Sequence, residues 1–123
     1  MSGQIARRNR FEIMVQVKVY EYAESASNSP KGNFIFEGIS WNISFTGICI
    51  FTNNKYISEN DICILEFSLS PTYMFSIPSK LIRKVKNKIH NSYAYECGFQ
   101  FDFTGKQQLQ DKLMAELFKF RSV

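Results

Sequence analysis

The chain has little of what hydrolytic, metal-dependent or disulfide-stapled proteins use. Its one histidine, His90, sits among Lys88, Asn91 and Ser92, where a solvated turn residue is expected. There is no Gly-rich phosphate loop, no HExxH pair and no GxSxG elbow, and the carboxylates are scattered rather than spaced as an acid–base couple. An enzyme is therefore not expected. The three cysteines, Cys49, Cys63 and Cys97, are odd in number, far apart and form no CxxC pair. That argues against a disulfide framework and against a zinc site, and no metal or cofactor is expected. Buried small hydrophobes in a reducing cytosol are the ordinary reading of such thiols. No run approaches the roughly 20 apolar residues of a membrane span. The first residues lack the apolar stretch of a signal peptide. The expectation is a cytoplasmic location with no membrane insertion.

What is present points to a β-rich globular domain. Apolar residues make up 45% of the 123 and aromatics 15%, with twelve Phe and six Tyr, which argues against disorder. The length suits one domain with one hydrophobic core, and the β-branched and aromatic bias favours strands. Residues 1–12 read as a basic arm, because 1–10 carry three Arg and no acid. Residues 13–22 alternate, with Val15, Val17 and Val19 on one face. Further strands are expected at 33–41, 48–51, 62–70, 79–87 and 93–101, the last with Tyr93, Tyr95, Cys97, Phe99 and Phe101 on one face. Pro71 and Pro78 flank a segment that reads as an edge strand or a connector. From Gly105 the period changes. Leu109, Leu113, Leu117 and Phe120 recur at helical spacing, and Thr104 with Gln107 fits a capping box. A helix is expected over 105–121, closing a domain that spans 13–123. Six or seven antiparallel strands and one C-terminal helix suggest a barrel, since closure removes exposed edges.

Two features could carry chemistry: the cluster Arg7, Arg8 and Arg10, and the bend Asn42-Ile43-Ser44-Phe45-Thr46-Gly47. Each alone has an ordinary explanation, as solvated terminal charge or as turn chemistry. Together and in this order they resemble the PilZ family. That family carries an RxxxR element before the first strand and an Asp/Asn-x-Ser-x-x-Gly element between the second and third. Here the second element is complete as Asn42, Ser44 and Gly47. The strand pattern after it, the strand ending Gly98-Phe99-Gln100-Phe101 and the final amphipathic helix also match, from about Arg7 to Phe120. The resemblance implies a PilZ-type β-barrel that binds cyclic di-GMP and passes the signal to a protein partner, with Arg7, Arg8, Arg10, Asn42, Ser44 and Gly47 as ligand residues. Its chemistry is coherent. Arg binds phosphate bidentately, stacks on purines and pairs with guanine O6 and N7. Asn42 and Ser44 offer polar contacts, and Gly47 permits positive φ or a close backbone approach. The implied mechanism is ordering of the arm against the barrel, which changes the surface shown to the partner, in roles such as motility control.

The first element departs from the family pattern. Counting from Arg8, its closing position is Glu12; counting from Arg7, it is Phe11. Two unit charges about 4 Å apart interact by roughly 4 kcal/mol at an effective dielectric of 20, and a third of that is about tenfold in affinity. Arg10 could replace the missing cation, Glu12 could turn away to a lysine, or the site could be degenerate. The last case defines a rival reading, a PilZ-fold interaction module without the nucleotide. A third, a small nucleic-acid-binding barrel, is favoured only by the formal net charge of +4; exposed aromatics interleaved with the basic residues are not evident. Arg83, Lys84, Lys86 and Lys88 form another basic cluster, read either as a solvated face or as an accessory phosphate or partner surface.

Overall fold

A computed structural model of the chain describes residues 10–23 and 30–120. In order they form β1 (Arg10–Phe11), β2 (Gln16–Tyr22), β3 (Lys31–Ser44), β4 (Gly47–Thr52), β5 (Ile62–Ser70), β6 (Tyr73–Lys86), β7 (Tyr95–Phe101) and α1 (Gln107–Leu117). Six strands close in the order β3–β2–β5–β6–β7–β4 and back to β3, every pair antiparallel. The two-residue β1 lies on the same side of β3 as β2, further along that strand. This is the expected antiparallel β-barrel with one C-terminal helix.

Alternation along each strand builds the interior. Val17 and Val19, Ile48 and Ile50, Leu65 and Phe67, Phe75 and Ile77, and Cys97, Phe99 and Phe101 share one core. Towards the β5–β6 turn Phe67 stacks on Phe75 and on Phe101, with ring centroids 5.5 and 6.2 Å apart. Leu113 and Leu117 of α1 are fully buried in that same core, so the helix caps the barrel. It lies at the end that holds the β3–β4 and β5–β6 turns: Phe118 packs on Phe45, and the Lys112 ammonium sits over the Tyr73 ring.

Several local expectations need correction. The helix has no capping box: Lys106 is its N-cap without a side-chain hydrogen bond, and the Thr104 amide donates to Asp102 instead. Gly105, at φ 70°, turns the chain into α1, a conformation that favours glycine. The segment between Pro71 and Pro78 is the first half of β6; it pairs with β5 alone, an edge at this height as expected, because β7 joins β6 only from Ser79 onward. The Pro78 carbonyl accepts from Asp102, just past the end of β7. Its nitrogen points the same way, where β7 has already ended and a missing N–H costs no ladder bond. β3 runs unbroken through Asn42–Ser44.

The ring of Tyr93 does not join the inward row of Tyr95. It stacks on Phe51, and His90 packs against both rings at 5.5 and 5.0 Å rather than standing in solvent. Phe51 alternates with the inward Ile50, so this cluster covers the outer face of β4.

Candidate functional site

The same alternation writes a second pattern on the outside of the barrel. Ile43, Ile48, Phe99 and Leu81 point inward, so the neighbouring rung points out. That rung reads Asn42 on β3, opposite Cys49 on β4, opposite Gly98 on β7, opposite Arg83 on β6. The next outward rung pairs Arg10 with Ser44 and, on the other side of the β3–β4 turn, Gly47 with Gln100. Long polar side chains stand at the flanks, while the middle holds a thiol and two glycines. The result is an open groove of about 920 Å³.

Four of the expected site residues, Arg10, Asn42, Ser44 and Gly47, line this groove together. Arg7 and Arg8 lie outside the described residues. Arg10 is held there by its ladder pairing with Ser44. The following link is pinned by buried Ser40, whose hydroxyl accepts from the Val15 amide and donates to the Ile13 carbonyl. The chain therefore enters the barrel beside the Asn42–Gly47 bend. Glu12 also lines the groove, and among the described residues it forms no ion pair with a lysine.

The bend is built by Ser44. Its hydroxyl oxygen accepts from the Thr46 and Gly47 amides at 3.2 and 3.1 Å, and its own proton reaches the Gly47 carbonyl only at 3.3 Å. The accepted bonds fix the turn, and the weakly engaged O–H is the group free to be redirected to an anion. Gly47 does not adopt a positive φ. A Cβ there would stand 2.3 Å from the Phe99 carbonyl oxygen, so the residue is glycine because β7 passes too close. The Asn42 side chain makes no hydrogen bond to another described residue and is partly exposed in the groove.

Arg83 supplies a second cation from the opposite wall. Its Nη2 lies 3.1 Å from Oε2 of Glu96, a residue only 8% exposed, while most of the Arg83 side chain remains open to solvent. The Cys49 thiol donates to the same oxygen at 3.2 Å. Burial, then that carboxylate, pushes the Cys49 pKa up to about 12, so the groove floor carries a neutral thiol. Sequence reading grouped Arg83 with Lys84, Lys86 and Lys88. Strand alternation separates Arg83 from Lys84: Arg83 faces the groove, while the Lys84 ammonium donates to the Ile57 carbonyl and covers the Tyr95 ring. Gly98 and Glu96 gave no signal, because only strand register reveals that they stand between Cys49 and Arg83.

The arrangement can hold an anion between Arg10 and Arg83 and offer it amide and hydroxyl donors. A strip of the bend also reaches the helix: Phe45 packs on Phe11 at 5.8 Å and on Phe118 at 5.3 Å.

Comparison with known proteins agrees with this architecture. The PilZ domain family profile matches residues 4–119. Among solved structures, the PilZ domain with c-di-GMP of YcgR from Escherichia coli superposes with a TM-score of 0.66 at 11% identity, covering 90% of this chain and 87% of that one. The PilZ domain of CeSA from a cellulose-synthesizing bacterium gives 0.61 at 14% identity, covering 89% and 95%. The Bacillus subtilis inhibitor of motility (MotI/DgrA) gives 0.60 at 14% identity, covering 91% of this chain and 50% of that one. No curated protein matches the chain. With its barrel, its capping helix and a family match over nearly its whole length, the chain belongs to the PilZ domain family.

Proposed function

We propose that this chain is a cyclic di-GMP receptor that acts on a protein partner, with the nucleotide seated in the outer groove. The observation that carries this reading is the pairing of Arg10 with Ser44, which sets the last residues of the basic arm, from Arg10 onward, beside the Asn42–Gly47 bend. Arg7, Arg8 and Arg10 would grip phosphate and guanine, Asn42 and Ser44 would donate and accept at the groove wall, and Gly47 would keep the bend tight against β7. Arg83 makes up for the cation that Glu12 does not provide, approaching from β6 while Glu96 holds it in place. Ligand binding orders the arm and alters the surface offered to the partner. Motility control is one such output, in keeping with the motility inhibitor among the structural neighbours. A cytoplasmic location belongs to the same reading; no helix among the described residues is long and apolar enough to cross a membrane.

A second reading keeps the fold and drops the ligand. It draws on Glu12, a carboxylate that lines the groove where the family pattern has a guanidinium. Calorimetric titration of cyclic di-GMP into wild type, Arg8→Ala and Glu12→Arg separates the two. The receptor predicts saturable binding, weakened about tenfold or more in Arg8→Ala and tightened in Glu12→Arg. Silence in wild type with binding gained in Glu12→Arg would establish the ligand-free module.

A further inference from the structure

Beyond its polar rungs, the groove has two apolar walls, and both arise from irregular backbone. The β3–β4 register slips between Ser40 and Asn42, and the β6–β7 register slips between Leu81 and Arg83. Each slip leaves one residue without a cross-strand partner, Trp41 on one side and Ile82 on the other. A bulge bends its strand and re-aims the extra side chain. Here both side chains line the groove, at the two ends of the Asn42–Cys49–Gly98–Arg83 rung.

Neither residue is needed there by the core. Leu81 supplies the inward contact beside Ile82, which is left 52% exposed. Trp41 lies on Phe51 with ring centroids 5.8 Å apart and planes 24° from parallel. Phe51 is itself backed by Tyr93 and His90. One face of the indole is thus fixed on a packed aromatic layer, while the residue stays partly exposed on the groove.

We propose that Trp41 and Ile82 are the base-recognition walls of this groove, Trp41 stacking on one purine and Ile82 contacting the ligand's base surface from the other side. The proposal rests on the nucleotide reading above and deepens it. A preorganised indole is a strong stacking surface for a nucleobase, and it discriminates poorly between bases because every base has a π face. Trp41 therefore contributes affinity for a purine ligand, and the choice of guanine falls to Asn42 and the arginines. β3 and β6 are separated by β4 and β7, three spacings that sum to about 14 Å. That width admits a flat, two-base ligand between the walls, with the polar rung beneath it.

Trp41 is the only tryptophan, so its emission reports on the site directly. Cyclic di-GMP should change wild-type tryptophan fluorescence along the same saturation curve that calorimetry gives. Trp41→Leu should weaken binding about tenfold or more, and Trp41→Phe by no more than about threefold, since a smaller ring still stacks. Ile82→Ser should weaken binding about threefold to tenfold with an unchanged melting temperature, because the side chain is already exposed. Nucleotide binding to wild type with unchanged emission, and with equal affinity in Trp41→Leu and Ile82→Ser, would overturn this assignment and leave the receptor reading intact. Absence of binding to wild type would remove both. Should Trp41→Leu unfold, wild-type emission and Ile82→Ser decide the matter.

Discussion

Two glycines of the groove do opposite work, and substitution distinguishes them. At Gly98 an added Cβ would meet nothing nearer than the Arg83 Cβ at 3.9 Å, so the fold has room for a side chain. That side chain would project from the centre of the outward rung into the ligand's volume. Gly98→Leu should melt within a few degrees of wild type and lose cyclic di-GMP binding in calorimetry. At Gly47 even a methyl group collides with the Phe99 carbonyl, so Gly47→Ala should destabilise by about 1–3 kcal/mol in a denaturant melt, whether or not ligand is present. Unequal legibility follows from the same contrast. Asn42, Ser44 and Gly47 could be named from the sequence because they lie close together and resemble the family's Asp/Asn-x-Ser-x-x-Gly element. Gly98, Glu96 and Arg83 could not, because they become neighbours of Asn42 only through strand pairing.

Among the elements, the strands were readable where alternation was clean, as in β5 and β7, and unreadable where the sheet departs from it. The slips that expose Trp41 and Ile82 shift the period-two pattern by one residue, and a short run of residues on either side does not reveal where the shift falls. Pro78 was a readable mark of an edge, since its missing donor is tolerated where β7 has no residue to pair with it. The capping helix was legible as an element, since Leu109, Leu113 and Leu117 fall on one stripe, yet its docking partner was not. Its place on the core predicts an asymmetric response. Leu113→Ala should cost about 2–5 kcal/mol in chemical denaturation, because it empties a fully buried site. Phe118→Ala, at a residue 67% exposed, should cost under about 1 kcal/mol.

For the whole molecule, closure of the sheet and capping by α1 account for one shared core, and the ionisable groups set its pH window. The Asp102 carboxyl is held below its ordinary value of 3.8 by hydrogen bonds from Thr104, and the Glu116 carboxyl below 4.5 mainly by Lys119. Groups depressed in the folded state stabilise it above their unfolded values and lose that contribution as pH falls through the folded ones. Lys31 is raised above 10.5, chiefly by its hydrogen bond to Glu66, so its contribution is full below that value and lost at higher pH. The buried Cys49, Cys63 and Cys97 thiols, pushed up from 9.0 to about 12, 11 and 11, stay protonated in the fold while the unfolded chain ionises above 9, so stability falls from there upward. The melting temperature should therefore be flat between about pH 5 and 8 and decline on both sides, as a thermal scan in a buffer series would show. A plateau that continued to pH 3 would mean that these carboxylates hold nothing in place. The charge excess and its concentration on the arm were plain in the sequence; the place of Arg83 on one groove wall needed the fold.

Phe45 stands between Phe11 and Phe118, so the opening and closing segments of the described chain lean on a single ring. On the receptor reading, a tug on the arginine-bearing end would reach the tail of the helix across that ring, a distance of two side chains. Anything that docks against the exposed Phe118 would then sense occupancy of the groove without touching the nucleotide.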